Sequence, residues 1–227
     1  MSLHLEGLTH RFGRHVALRD VSLHVRRGDC YGFIGHNGAG KTTALRAALG
    51  LLIPQAGRVV VDGFDAARYP REARARMGGL VERPGFHGHW SGERNLFALG
   101  QLGGMSRRDA HRAARELFQR VGLSHAGQRR VRGYSQGMRQ RLGVAQALLN
   151  DPPYVLLDEP TNGLDPEGVA EMRGLLRRLT RDEGVTVVIS SHQLHELADL
   201  CTRVGVVREG RLVEMDLIAW LAGNESD

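Results

Sequence analysis

Residues 35–43 read GHNGAGKTT, between an apolar run, Cys30–Ile34, and a helical pattern over 42–49. The stretch has the G-x-x-x-x-G-K-[ST] spacing of a phosphate-binding loop, in the strand–loop–helix context that this motif requires. Its glycines leave backbone N–H groups free to close on phosphate oxygens at the start of a helix. The stretch therefore predicts a nucleoside triphosphate site, with contacts from Gly35, Asn37, Gly38, Gly40, Lys41, Thr42 and Thr43.

Lys41 is the only lysine in a chain with 31 basic residues. Its ammonium is a compact charge on a flexible stem that can reach between β- and γ-phosphates, whereas a planar guanidinium fills the same space differently. A chain that otherwise uses arginine would keep lysine at such a position. We also expect the hydroxyl of Thr42 to ligate Mg²⁺ beside the phosphates.

A second stretch, YVLLDEP at 154–160, is an apolar strand that ends in two acids. Asp158 at the strand tip can hold the Mg²⁺ shell. Glu159 next to it can polarise an attacking water. Two solvated turn acids before Pro160 are the alternative, but a phosphate loop in the same chain favours the catalytic interpretation.

The composition is that of a globular chain, since 41% of the 227 residues are hydrophobic. The longest apolar stretch, 47–53, is far shorter than the ~20 residues of a membrane helix, and the N-terminus lacks an apolar signal core. We therefore expect a chain that is neither secreted nor membrane-spanning. Cys30 and Cys201 lack metal-type spacing and are interpreted as small buried residues in a reducing cytoplasm.

The net charge of +6 suits an anionic partner such as nucleic acid or a lipid surface. A genome-wide preference for arginine explains the same charge equally well. The charge by itself leaves both interpretations open.

Short apolar runs alternate with helical stretches, which predicts an α/β domain with a largely parallel sheet. One helix is expected over 107–121, and another is expected to follow Asp165, with Pro166 at its first position. Residues 84–150 carry helical patterns and no convincing strand. We therefore predict a helical subdomain, 84–150, inserted between the two halves of a core, 1–83 and 151–227.

Five motifs, in order, resemble those of the ATPase subunit of an ATP-binding cassette (ABC) transporter, and they span essentially the whole chain. GHNGAGKTT resembles the Walker A loop and YVLLDEP the Walker B strand. YSQGMRQRLGVAQAL, from Tyr134, resembles the signature usually written LSGGQ. GLDP, 163–166, resembles the D-loop, and SSH, ending at His192, the switch histidine. The resemblance implies a P-loop NTPase core of ABC type with an N-terminal antiparallel β portion.

The resemblance also assigns roles to single residues. It implies that Ser135 and the amide of Gly137 face the γ-phosphate bound by a second subunit, although Ser135 also reads as an ordinary helix N-cap. Asp165 is implied to be a D-loop residue, and it can equally be the N-cap of the helix that starts at Pro166. His192 is implied to contact the γ-phosphate and Glu159. Phe12 lies where the family stacks an aromatic ring on adenine, a core phenylalanine being the alternative.

Two departures from the family pattern point to a branch of it. Glu82, in GGLVERPGF, stands where the family usually has a glutamine; its carboxylate can approach Mg²⁺ but cannot donate a hydrogen bond. Gln136 and Met138 replace a glycine and a glutamine of the signature. Both changes resemble a bacterial branch that exports drugs and antimicrobial peptides.

The resemblance therefore implies a cytoplasmic ATPase at the inner face of the cell membrane, which uses ATP and Mg²⁺ with Glu159 and His192 as catalytic residues. It implies a head-to-tail homodimer around two ATP molecules, and an integral membrane permease docked around residues 84–104. The alternative is a soluble ABC ATPase that acts on nucleic acid or a protein assembly. Nucleic acid is not the expected partner, because the chain has neither a long coiled-coil insert nor a second cassette.

Overall fold

The structure, a computed structural model, describes residues 1–82 and 84–215. These residues form the following strands: β1 Ser2–Phe12, β2 His15–Arg26, β3 Cys30–Ile34, β4 Ala56–Val61, β5 Phe64–Asp65, β6 Met77–Leu80, β7 Tyr154–Asp158, β8 Thr186–Ser191, β9 Arg203–Arg208 and β10 Arg211–Met215. They form the following helices: α1 Lys41–Ala48, α2 Pro70–Arg74, α3 Gly92–Leu102, α4 Arg107–Arg120, α5 Gln136–Ala147, α6 Pro166–Arg181 and α7 Leu194–Leu197.

The strands make two sheets. A six-stranded sheet has the order β10-β9-β3-β8-β7-β6, in which every pair is parallel except β10 with β9. Strands β3, β7 and β8 are almost wholly buried, as expected for parallel strands covered on both faces. A four-stranded antiparallel sheet, β2-β1-β4-β5, holds the N-terminal strands. The prediction of an α/β fold with an N-terminal antiparallel portion is confirmed.

Helices cover the six-stranded sheet because their apolar residues recur at helical spacing. On α6 the buried stripe consists of Met172, Leu175, Leu176 and Leu179. The helix begins at Pro166, the position that its fixed φ favours. Because β3, β7 and β8 run parallel to one another, their carboxyl ends meet at one edge of the sheet.

Between residues 84 and 150, the described elements are α3, α4, α5 and two short 3-10 turns, Ser124–Ala126 and Val131–Gly133. The three helices begin alike, because Ser91, Ser106 and Ser135 each accept a backbone N–H three residues on. The division into a subdomain, 84–150, and a core, 1–83 and 151–227, stays a prediction. Residues 83 and 216–227 of that division lie outside the described residues.

Cys30 and Cys201 are buried, as the sequence predicts, but they also lie side by side, with their sulfur atoms 3.5 Å apart. The hydrogen bond to Cys30 and burial raise the pKa of the Cys201 thiol well above its usual value. A thiol in that state packs as a small apolar group and does not act as a nucleophile.

Among the helices described, none is long and apolar enough to cross a bilayer.

Candidate functional site

The phosphate loop leaves β3 at Gly35 and enters α1 at Lys41. Gly40 has a left-handed φ of 113°, and a Cβ there would lie 2.3 Å from the carbonyl oxygen of Ala17. A Cβ on Gly35 would lie 2.4 Å from the carbonyl oxygen of Val207. Glycine is therefore required at both ends of the loop, which keeps the backbone at the start of α1 open to an anion.

The ammonium of Lys41 is buried at the centre of the site, with 4% of the residue exposed. Its Nζ donates to the carbonyl oxygen of Gly35 at 2.6 Å and lies 3.2 Å from Oε1 of Glu159. A buried cation is costly unless it is paired, and these partners pair it. Lys41 therefore connects the phosphate loop to the acid that follows β7.

Asp158 ends β7 and receives two hydroxyl groups. Thr42 Oγ1 donates to its Oδ2 at 2.7 Å, and Ser190 Oγ donates to its Oδ1 at 2.5 Å. The parallel register places Asp158 directly opposite Ser190 on β8. The Thr42 hydroxyl and the Asp158 carboxylate are adjacent hard oxygen donors, the kind that Mg²⁺ prefers, so the residues present fit that ion.

Glu159 follows with a left-handed φ of 45°, which is strained for a glutamate. Its amide is held by Ser190, through the hydroxyl at 2.9 Å and the carbonyl oxygen at 3.2 Å. Its Oε2 lies 3.1 Å from Nδ1 of His192. One carboxylate oxygen therefore faces Lys41 and the other faces His192.

His192 lies between an acid and an amide. Its Nε2 lies 3.0 Å from the side-chain amide of Gln193. The carboxylate of Glu159 is an acceptor, so Nδ1 of His192 carries the proton of the bond between them. We call Lys41, Thr42, Asp158, Glu159 and His192 the sheet-edge cluster, because all five lie where β3, β7 and β8 end.

A cleft of about 350 Å³ opens in front of this cluster. Phe12 lines it together with the phosphate loop and is 49% exposed, so it is not the core phenylalanine of the alternative interpretation. Thr43, Asn37 and Gly38 also line the cleft. His15 does so as well, a residue that sequence reasoning did not select.

Ser135, Gly137 and Asp165 line a second cleft of about 490 Å³, and we call them the cap cluster. Ser135 Oγ accepts from the amide of Met138 at 3.2 Å, and Asp165 Oδ1 accepts from the amide of Gly168 at 3.0 Å. Both are helix N-caps, the plain role that the sequence allowed. Within the described residues, no side-chain hydrogen bond or ion pair joins the two clusters, so the structure does not bring these predicted residues together.

Glu82 does not join the sheet-edge cluster either. The partner that the structure gives its carboxylate is the guanidinium of Arg46, in an ion pair at the surface. The predicted contact of Glu82 with Mg²⁺ stays a prediction. The Arg46 contact was not foreseen, because it joins α1 to the segment after β6.

Comparison with known proteins identifies the family. Residues 18–162 match the ABC transporter family. The bacitracin transport ATP-binding protein BcrA of Bacillus licheniformis is 41% identical over 207 residues, which cover 91% of this chain and 67% of the relative. The chain belongs to the ABC transporter family. The daunorubicin resistance ATP-binding protein DrrA3 of Streptomyces coeruleorubidus is 40% identical over 209 residues, 92% of this chain and 66% of the relative.

The fold agrees with that membership. The dimeric structure of MJ0796, a bacterial ABC transporter cassette, superposes with a TM-score of 0.83 at 25% identity, and the match covers 95% of this chain and 98% of that one. The predictions of an ABC ATPase, of its P-loop α/β fold and of ATP as its nucleotide are confirmed. This ABC cassette is an ATP-hydrolysing enzyme.

Besides His15, three polar residues near the sheet-edge cluster escaped sequence reasoning: Ser190, Gln193 and Glu196. Ser190 holds both Asp158 and the amide of Glu159. Its signal lay in the sequence, since Ser190 stands two residues before His192. Only the register between β7 and β8 reveals which acid it holds.

Proposed function

We propose that this ABC cassette drives a separate membrane permease that exports a drug, an antimicrobial peptide or a similar compound. In this proposal it works at the cytoplasmic face of the membrane, as two copies closed head to tail around ATP and Mg²⁺. The observation that carries it is the split between the two clusters. Each chain builds a sheet-edge cluster at one cleft and a cap cluster at another, and a second copy would bring the two together.

In the sheet-edge cluster, the roles follow from the contacts. Lys41 would bind the β- and γ-phosphates, and Thr42 and Asp158 would hold Mg²⁺. The ion would supply charge stabilisation at the phosphates. Glu159 would accept a proton from the attacking water, since its two oxygens are oriented by Lys41 and His192.

In the cap cluster, the N-terminus of α5 carries the positive end of the helix dipole. The hydroxyl of Ser135 and the amide of Gly137 would therefore suit the γ-phosphate bound by a second copy. A homodimer in this arrangement would place a cap cluster against each sheet-edge cluster. The relative solved as a dimeric ABC transporter cassette supports this arrangement.

The cargo is inferred from relatives. BcrA is named for bacitracin transport and DrrA3 for daunorubicin resistance, and both match more than nine-tenths of this chain. Two signature departures, Gln136 and Met138, point to the same branch. The segment 84–104 would receive the permease, as the resemblance to the family implies.

A trapping experiment tests the proposal. A tagged Glu159→Gln chain is expressed in cells of the source organism, solubilised in detergent with Mg-ATP and purified with whatever it holds. We expect mass spectrometry to find an integral membrane protein in stoichiometric amount, and a Lys41→Ala chain to retain less of it after the same nucleotide step. Nucleic acid or a soluble assembly in its place would contradict a transport role.

A further inference from the structure

Glu196, on α7, is a buried carboxylate that neither cluster includes, with 9% of the residue exposed. Its Oε2 accepts two hydroxyl groups, from Thr161 Oγ1 at 2.7 Å and from Ser191 Oγ at 2.8 Å. In the part of the chain that the structure describes, no basic side chain forms an ion pair with it. A buried acid without a cation is costly and is kept where its hydrogen bonds matter.

The two hydroxyl groups belong to the segments that carry the predicted catalytic residues. Thr161 lies two residues after Glu159, and Ser191 immediately precedes His192. Both donors are buried. One oxygen of Glu196 therefore ties the turn after β7 to the end of β8.

The tie continues to the histidine ring through Gln193. The hydroxyl of Ser191 accepts from the backbone amide of Gln193 at 3.0 Å, and the side-chain amide of Gln193 lies 3.0 Å from Nε2 of His192. The ring then donates from Nδ1 to Glu159. With Thr161, these contacts close a loop that starts and ends at Glu196.

We infer that Glu196 is a positioning residue, which sets the spacing between Glu159 and His192 and the tautomer of His192. The inference rests on the proposed roles of those two residues in ATP hydrolysis. Among the described residues, Glu196 makes no side-chain hydrogen bond or ion pair with either of them, so it acts through Thr161, Ser191 and Gln193. Ser190 already fixes the amide of Glu159, and Glu196 adds the constraint that couples this acid to the histidine.

The first test compares two variants of similar length. Glu196→Gln keeps an oxygen acceptor, whereas Glu196→Met removes it. We expect Glu196→Met to lower kcat for ATP about tenfold, while KM stays within about twofold, because a hydrogen bond to a charged group is lost away from the nucleotide. Glu196→Gln should restore kcat to within about threefold of the wild type.

The second test changes the donor. Thr161→Val removes the hydroxyl at constant size, and Thr161→Ser keeps it. Thr180→Val is the matched control, because Thr180 is also buried and, among the described residues, its hydroxyl bonds only to carbonyl oxygens within α6. A purely structural role predicts that Thr161→Val and Thr180→Val lower the melting temperature alike and leave kcat unchanged, and this result would overturn the inference.

A measurement made without nucleotide distinguishes the positioning role of Glu196 from the proposed base role of Glu159. The ring nitrogen NMR shifts of His192, assigned with a His192→Gln chain, report its tautomer. We expect the Nδ1–H form in the wild type and in Glu196→Gln, and a mixture of tautomers in Glu196→Met. An unchanged spectrum in Glu196→Met would overturn the inference. A third result is that the spectrum of Glu196→Met changes while Glu159→Gln hydrolyses ATP at the wild-type rate. That result would support the positioning role of Glu196 and would show that Glu159 is not the base.

Discussion

In the sheet-edge cluster, Thr42 bonds to Asp158 at 2.7 Å, and Glu159 lies 3.2 Å from Lys41 and 3.1 Å from His192. Ser190 joins these two sets, because its hydroxyl bonds to both Asp158 and the amide of Glu159. In the cap cluster, Ser135 and Asp165 bond only to the backbone of their own helices, as far as the described residues extend. The contacts of the sheet-edge cluster are all made within one chain. The hydrogen bonds of the cap cluster only cap helices, so any further role of that cluster would require a molecule bound in its cleft.

The two clusters are nevertheless linked at one point. Gln136 begins α5, next to Ser135, and its side chain donates to the carbonyl oxygen of Asn162 at 3.0 Å. Asn162 lies in the turn that follows Glu159. The difference is that one region is built by side-chain contacts between segments far apart in the chain, while the other bonds only locally and meets the first through this turn.

Glu159→Gln should have the largest effect. A positioned general base contributes about 10²- to 10⁴-fold to a rate, so we expect kcat to fall by at least about a hundredfold. ATP affinity, measured by titration with a fluorescent nucleotide, should be retained. Glu116→Gln, at an exposed carboxylate on α4, is the control. Hydrolysis by Glu159→Gln at the wild-type rate would remove Glu159 from its role.

Lys41→Ala should follow, with loss of nucleotide binding rather than of turnover alone. Truncating one partner of a buried charge pair costs about 2–5 kcal/mol, so ATP affinity should fall by ~30-fold or more. Lys41→Arg should fail as well, because the ammonium lies 2.6 Å from the carbonyl oxygen of Gly35 in a buried position. Unchanged ATP affinity in Lys41→Ala would contradict the assignment.

Ser135→Ala should act only in the assembled enzyme. We expect kcat to fall about tenfold as a hydrogen bond to a charged group is lost, while the monomer binds ATP as before. Ser106→Ala is a matched control, since Ser106 caps α4 in the same way, and both variants should lose ~1 kcal/mol of helix capping. If Ser135→Ala weakened ATP binding by the monomer, or if Ser106→Ala slowed turnover equally, the cap cluster would have no role across a dimer.

Gln136→Met should have the smallest effect, because the bond from Gln136 to Asn162 is exposed and neutral. Removing such a bond is worth about 0.5–1.5 kcal/mol, so kcat should change about threefold. ATP binding by the monomer should not change. A Gln136→Met chain with wild-type kcat would show that the two clusters do not communicate through this turn.

Much of the fold and of the site could be predicted from the sequence, because the motifs combine residue types with a local context. The strand Cys30–Ile34, the loop and the helix α1 lie within one residue of their expected bounds. Helix α5 ends at Ala147, and Leu149 packs against the core from outside the helix. For Phe12 the sequence left an adenine-stacking ring and a core phenylalanine both open, and only the fold excluded the core position, since burial depends on the whole fold.

The phosphate loop, the acids that end and follow β7, the order of the motifs and the family could all be read from the sequence. Each of them rests on side-chain chemistry at short spacing. Only the tertiary structure decided which distant residues meet. The register of β7 against β8 sets Ser190 opposite Asp158, and the placement of α7 sets Glu196 against Thr161 and Ser191. The same holds for Cys30 beside Cys201. Such contacts depend on how parallel strands far apart in the chain are aligned, and no local pattern encodes that alignment.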